Sequence, residues 1–296
     1  MKRKIWAWIA VIVIVAAIVL GITTIHVRNE RLRRLYTYSH TLFVHGWTGS
    51  IKSEERMVHA AAKSGAAKKR LVIHVKANGK LKYKGHYFRG TKNPMIEVVF
   101  DNNRAGEFKD AHWIRKVVKS LKARYGITKF NAVGHSMGSY ALLYYTLLYG
   151  KNRNLPRPNK LVLIAGPYDG IINNHKLNQP TDLPLSKLWT DMPNQNKLLK
   201  NGRPKIIHSE YRMLLNLRKQ IPRGVKILNI YGDLENGSNS DGVVTITSAR
   251  SLGFIVRGRV AKYKELKVDG EHAQHSSLHE DNFIVNRALI NFLWAK

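Results

Sequence analysis

The sequence predicts an α/β fold in which a mostly parallel sheet carries helices on both faces. Three observations point there. From Thr41 onward, short runs of β-forming residues alternate with longer runs of helical period. A polar pentapeptide, GHSMG at 134–138, separates a β-type run from an apolar helical one. An Asn-Gly pair, Asn78-Gly79, lies inside "RLVIHVKANGKLKYKG" and signals a hairpin.

The elements follow in order. After "MKRK" comes Ile5 to Ile25, 21 residues without a charge. At ~1.5 Å per residue this crosses a hydrocarbon core of roughly 30 Å, and it exceeds the ~7–15 residues of a cleaved signal's apolar region. Residues 1–25 are therefore expected to be an uncleaved transmembrane anchor. Lys2, Arg3 and Lys4 flank it on one side and Arg28, Arg31, Arg33 and Arg34 on the other. A short amino-terminal flank is expected to stay inside, which puts the remainder outside the cell. Residues 26–40 read as a basic juxtamembrane linker and 41–296 as the folded domain.

Within that domain "TLFVHG" is a strand, Ser53 to Ala67 has helical composition, and "PMIEVVF" is a strand. "EFKDAHWIRKVVKSLKARYG" is an amphipathic helix stopped by Gly126. "KFNAV", "NKLVLIAGP", "VKILNIYGD" and "AKYKELKV" supply further strands, with a helix near Thr245 to Leu252 and a closing helix at "NFIVNRALINFLW". Between Gly166 and Pro222 the alternation lapses, and 166–222 is expected to be a helical insertion over the sheet. Its Tyr168 and Trp189 either line an acyl pocket or form a small core of its own.

Composition narrows the chemistry. Fifty Lys+Arg against 19 Asp+Glu give a formal net charge of +31, spread from Lys2 to Lys296. Charge so dispersed speaks against a nucleic-acid footprint and suits an anionic lipid or wall-polymer surface. With no cysteine, disulfides and a thiol nucleophile are excluded.

GHSMG matches G-x-S-x-G, the nucleophile elbow. Ser136 at a tight strand-to-helix turn needs Gly134 and Gly138 beside it, because the residues two before and two after crowd together. A serine also needs a base held by an acid, and in this architecture the chain order is Ser, acid, His. Asp241 in "NSDGVV" is the preferred acid, with Asp233 at the end of "VKILNIYGD" as the alternative. The loop "DGEHAQHSSLHED" offers His272, His275 and His279. His275 is preferred and His279 comes next; Ser276 or Ser277 would cap the final helix. A metal cluster in this loop is disfavoured, since no H-E-x-x-H order exists, and no cofactor is expected. Backbone donors for an oxyanion are expected from the amides of Met137 and, in "HGWTG", Trp47.

With "FVHGWTG", "GHSMG", "SDGVV" and "HAQHSSLHE" in this order, the chain resembles the alpha/beta-hydrolase superfamily. More narrowly it is similar to exported cell-surface hydrolases of Gram-positive bacteria, over about Thr41 to Lys296. The resemblance implies a Ser136–His275–Asp241 triad, an oxyanion hole at Trp47 and Met137, and an esterase- or lipase-like activity. No particular substrate carries over.

Overall fold

A computed structural model describes residues 2–35, 39–88, 90–172 and 190–295. Helix α1, Lys2–Leu35, opens the chain, and within it Trp8–Arg28 is long and apolar enough to cross a membrane and buries nothing against the domain. The domain follows as β1 (His40–Val44), α2 (Ile51–Lys63), β2 (Lys68–Val75), β3 (Leu81–Gly85), β4 (Pro94–Phe100) and α3 (Glu107–Tyr125). Next come β5 (Lys129–His135), α4 (Met137–Tyr149), β6 (Arg157–Ile164), β7 (Ile171–Ile172), β8 (Thr190–Asp191) and α5 (Ser209–Leu217). The chain closes with β9 (Lys226–Asp233), α6 (Ile246–Arg250), α7 (Leu252–Val256), β10 (Lys262–Asp269) and α8 (Phe283–Trp294).

Eight strands form one sheet in the order β10-β9-β6-β5-β1-β4-β2-β3. Every pairing is parallel except β2 with β3, the hairpin announced by Asn78-Gly79, where Gly79 takes φ +79°. From β1 the chain builds toward one edge and then returns to build toward the other through β5. The strand order thus reverses between β1 and β5, and the loops that leave their carboxyl ends flank a crevice where α/β sheets place ligands.

Local chemistry sets the boundaries. Helix α2 starts before Ser53, because Ser50 accepts from the Lys52 amide while Ser53 caps Ser50 in return. It also stops short of Ala67, where Gly65 turns at φ +73°. Gly126 ends α3 in the left-handed region, as its position predicts. The closing helix is capped by Asn282, whose side chain accepts from the Val285 amide, and not by Ser276 or Ser277. Those two amides bond the Gln274 side chain instead.

One core lies between the sheet and α3, α4, α5 and α7; a second, built from Met57, Val58, Leu289 and Trp294, lies under α2 and α8. In the described part of the region after β6, α5 joins the first core. Tyr211 and Leu214 of α5 are fully buried in the first core, and the Tyr140 hydroxyl donates to the Glu210 carbonyl oxygen, locking α5 against α4. Tyr168 is fully buried in that core. Trp189 lies outside the described residues.

Three acids are buried on α3 and α5: Glu107, Asp110 and Glu210. Burial pushes Glu107 up to about 7 and Glu210 up to about 8, with like charges nearby adding to the effect on Glu210. Each folded-state value lies above the unfolded one near 4.5, so the native state holds the protons longer. Their contribution is full below about pH 4.5 and is lost as pH rises through about 8. Stability measured by denaturant should therefore fall between pH 5 and 8, and Glu107→Gln with Glu210→Gln should flatten that slope.

Candidate active site

The turn from β5 into α4 carries Ser136 at φ 53° and ψ −123°, a region that non-glycine residues rarely occupy. Such a conformation costs about 1–3 kcal/mol and persists only where its surroundings over-determine it. Here the Ser136 amide donates to the Ile164 carbonyl at 2.8 Å, tying the turn to β6. Ser139, one turn along α4, has its hydroxyl 2.6 Å from the Gly134 carbonyl oxygen and accepts from the Ile164 amide at 2.9 Å. Gly134 and Gly138 press together, and a Cβ on Gly138 would lie 2.4 Å from the Val44 carbonyl oxygen and 2.6 Å from that of His45. Glycine is required there because β1 and its loop run directly over the start of α4.

Two later loops reach this turn. Asp241 follows β9, is 1% exposed, and accepts the Val243 and Val244 amides on Oδ1 at 2.9 and 2.7 Å. The two valines thus hold the carboxylate, leaving Oδ2 to accept from His275 Nδ1 at 2.8 Å. His275 follows β10, and its amide donates to the Asp241 carbonyl at 2.9 Å. Its Nε2 lies 3.0 Å from Ser136 Oγ. With the proton on Nδ1 facing the carboxylate, Nε2 is left to accept from the serine hydroxyl. Asp241, His275 and Ser136 form one hydrogen-bonded chain.

The alternatives lie elsewhere. Asp233 pairs with Lys267 at 2.7 Å and accepts the Glu235 amide; burial alone would raise its carboxyl, yet these partners hold it below the usual range. His279 bonds the Ser53 carbonyl oxygen through Nδ1 at 2.6 Å, and burial lowers its pKa. His272 meets α8 through its backbone, its carbonyl accepting from Asn282.

Three supports were not visible in the sequence. His135 packs its ring 4.7 Å from His275 and 4.1 Å from His279, and donates through Nε2 to the His275 carbonyl oxygen at 3.0 Å. Burial, reinforced by its two histidine neighbours, drives its pKa well down, so it stays neutral. The segment after β6 clamps the acid's loop: Thr245 donates to Asp191 at 2.6 Å and the Ile172 amide to the Val243 carbonyl at 2.8 Å. Nearby, Asp169 accepts from His208 and Asn196, and that carboxylate raises His208 to about 9. No spacing in the sequence links these positions.

The third support is His45, the last residue before "GWTG". It is 1% exposed, its Nδ1–H donates to the Gly46 carbonyl at 2.8 Å, and its Nε2 accepts from the Phe100 amide at 3.0 Å. The Gly49 amide also donates to the Gly46 carbonyl, at 3.1 Å. Because the peptide is planar and trans, fixing that carbonyl fixes the Trp47 N–H on its opposite side. Asn103 braces the same loop from β4's end, accepting the Thr48 amide and donating to the Gly49 carbonyl, both at 2.9 Å. Gly46 sits hard against the turn: a Cβ on it would lie 2.9 Å from Ser136 Cβ and 3.6 Å from the Met137 amide nitrogen. Neither the Trp47 nor the Met137 amide has a backbone acceptor among the described residues.

Replacing His45 with phenylalanine keeps the bulk but leaves the buried Phe100 amide without its acceptor. A lost buried bond of this kind costs about 1–3 kcal/mol, so His45→Phe should lower the midpoint of thermal unfolding by several degrees. His45→Gln, which retains a donor and an acceptor, should recover part of the loss.

Comparison with known proteins agrees with this architecture. The product of gene lin2722 from Listeria innocua is similar over 87% of this chain and 94% of its own, with 24% identity and a TM-score of 0.74. A Lactobacillus plantarum protein with the provisional label of cell surface hydrolase is similar over 86% of this chain and 89% of its own, at 22% identity and a TM-score of 0.63. At these identities the likeness is one of fold. Among curated proteins none matches. Residues 32–296 match the family described as alpha/beta hydrolase of unknown function (DUF915), and the chain belongs to that family.

Proposed function

We propose that the protein is a membrane-anchored serine hydrolase that cleaves acyl esters on the outer side of the cell membrane. The observation that carries this reading is the hydrogen-bonded chain Asp241–His275–Ser136, set on a strained turn beside two backbone amides that have no backbone acceptor among the described residues. His275 Nε2 takes the Ser136 proton as Oγ attacks the acyl carbonyl. Asp241 keeps the ring oriented and stabilises the imidazolium that forms. The amides of Met137 and Trp47 donate to the developing oxyanion, helped by the positive end of α4. The imidazolium then protonates the leaving alcohol, and a water activated by the same histidine releases the acid and restores Ser136.

Anchoring rests on the apolar span Trp8–Arg28. The cell-surface label of the similar Lactobacillus protein supports the outward placement.

A fluorophosphonate probe should label the full-length chain in detergent, and Ser136→Ala should abolish labelling. Folded wild type that resists the probe would overturn the reading. Asp241→Asn should lower kcat by about three to four orders of magnitude, since it favours the wrong imidazole tautomer. Asp233→Asn and His279→Gln should leave kcat within about tenfold, a barrier change of about 1.4 kcal/mol. A hydrolysis panel of esters of graded chain length, with matched amides, assigns the bond: esters cleaved and amides spared is the expected outcome.

A further inference from the structure

The sheet is electrostatically polarised from end to end. Its seven parallel strands start on one edge, and the residues at or near their starts include Lys68, Lys92, Lys129, Arg157, Lys226 and Lys262. In register, Lys160, Lys226 and Lys262 stand in one row across β6, β9 and β10, and Lys129 faces Arg157 across β5 and β6. Neighbouring strands are ~4.8 Å apart, so this row is a dense line of positive charge. Lys160 registers the crowding: burial and then Lys226, Lys129 and Lys262 lower its pKa. The six connections that lead into β2, β4, β5, β6, β9 and β10, at 60–70, 90–95, 120–130, 149–160, 218–227 and 256–263, contain no Asp or Glu. The carboxylates gather at the opposite edge and at the helix starts, among them Asp101, Glu107, Asp233, Asp269 and Glu271.

The basic edge is also the edge at which the domain joins α1. Helix α1 ends at Leu35 and β1 starts at His40. The five residue steps between them reach at most ~18 Å, and the helical turns between Arg28 and Leu35 add ~10 Å. Ser136 stands at the far end: Lys129 and Ser136 bracket β5, separated by ~23 Å at ~3.3 Å per residue.

We infer that the amino edge of the sheet docks on the anionic lipid headgroups of the membrane that α1 spans, so that the Ser136 crevice opens away from that bilayer. This rests on the membrane-anchored reading of α1. It deepens that reading by naming the side from which substrate arrives: an ester carried in solution or on a polymer beyond the membrane, not a lipid lying in the same leaflet. The tether holds the basic edge near the headgroups, and each lysine or arginine there adds attraction within a Debye length of the surface.

The absence of native cysteine makes the test direct. The full chain is placed in lipid nanodiscs with a fluorophore on Thr128→Cys, at the amino edge, or on Glu271→Cys, at the carboxyl edge, both exposed positions. A headgroup-bound quencher in phosphatidylglycerol discs should dim the first and spare the second. That contrast should vanish in phosphatidylcholine discs, in 1 M salt, and in a variant combining Lys129→Glu, Arg157→Glu, Lys226→Glu and Lys262→Glu. Fluorophosphonate labelling of the fourfold variant should match wild type, which reports separately on its fold and on the hydrolase reading. Equal quenching at both positions, or quenching at Thr128 indifferent to lipid charge, overturns the docking while leaving the anchor intact. A chain that does not co-migrate with the discs overturns the anchor and the docking together.

Discussion

Everything around the candidate site depends on one strained turn. Ser136 sits at φ 53° because β5 must pass into α4 without a connecting loop, and the surrounding chain supplies what holds it there. The Ile164 carbonyl takes its amide, Ser139 bridges β5 and β6, and the β1 loop closes over Gly138 at a distance that leaves no room for a Cβ. About 1–3 kcal/mol of backbone strain is thus offset by hydrogen bonds and packing that the parallel sheet provides. The turn and the sheet constrain each other: the switch in strand order between β1 and β5 brings the two loops together, and the glycines let them touch.

Histidines show how position, and not residue type, decides role. Burial lowers the pKa of His45 although its bond to the Gly46 carbonyl opposes this, and with both ring nitrogens on backbone groups it acts as a strut for the Gly46–Trp47 peptide. Burial lowers the pKa of both His135 and His279, and the His135 ring packs against His275 on one side and His279 on the other. Among the described histidines only His275 has a carboxylate on one nitrogen and a hydroxyl on the other. The buried contacts among these rings keep the His275 loop in register with Ser136, a precision that an exposed loop alone does not offer.

Much of this was legible in the chain. The alternation of strand and helix runs, the Asn-Gly hairpin and the Gly126 stop are local signals, and each reappears at its place. GHSMG and "HGWTG" likewise announce backbone geometry, because glycine spacing reports where chains must approach. The region after β6 was less legible. Its composition suggests a piece lying over the sheet, whereas α5 is driven into the main core by Tyr211 and Leu214, whose partners on α4 and α7 are distant in sequence. The same holds for the Asp191–Thr245 and Asp169–His208 contacts, which join segments with no shared pattern.

By itself the sequence determined the fold class, the strained turn and the serine it presents, since these follow from periodicity and from glycines at fixed offsets. It also determined the charge, though not its arrangement: basic residues that look scattered along the chain collect at one edge once parallel strands align their starts. Which carboxylate and which histidine meet Ser136 was a tertiary decision. Asp233 and Asp241, like His272, His275 and His279, are near-equivalent neighbours along the chain. Sequence context favours Asp241 and His275, but the contacts themselves form only when β9 and β10 pair in register and their loops converge, because hydrogen bonds select on distances of a few tenths of an ångström that no linear spacing encodes.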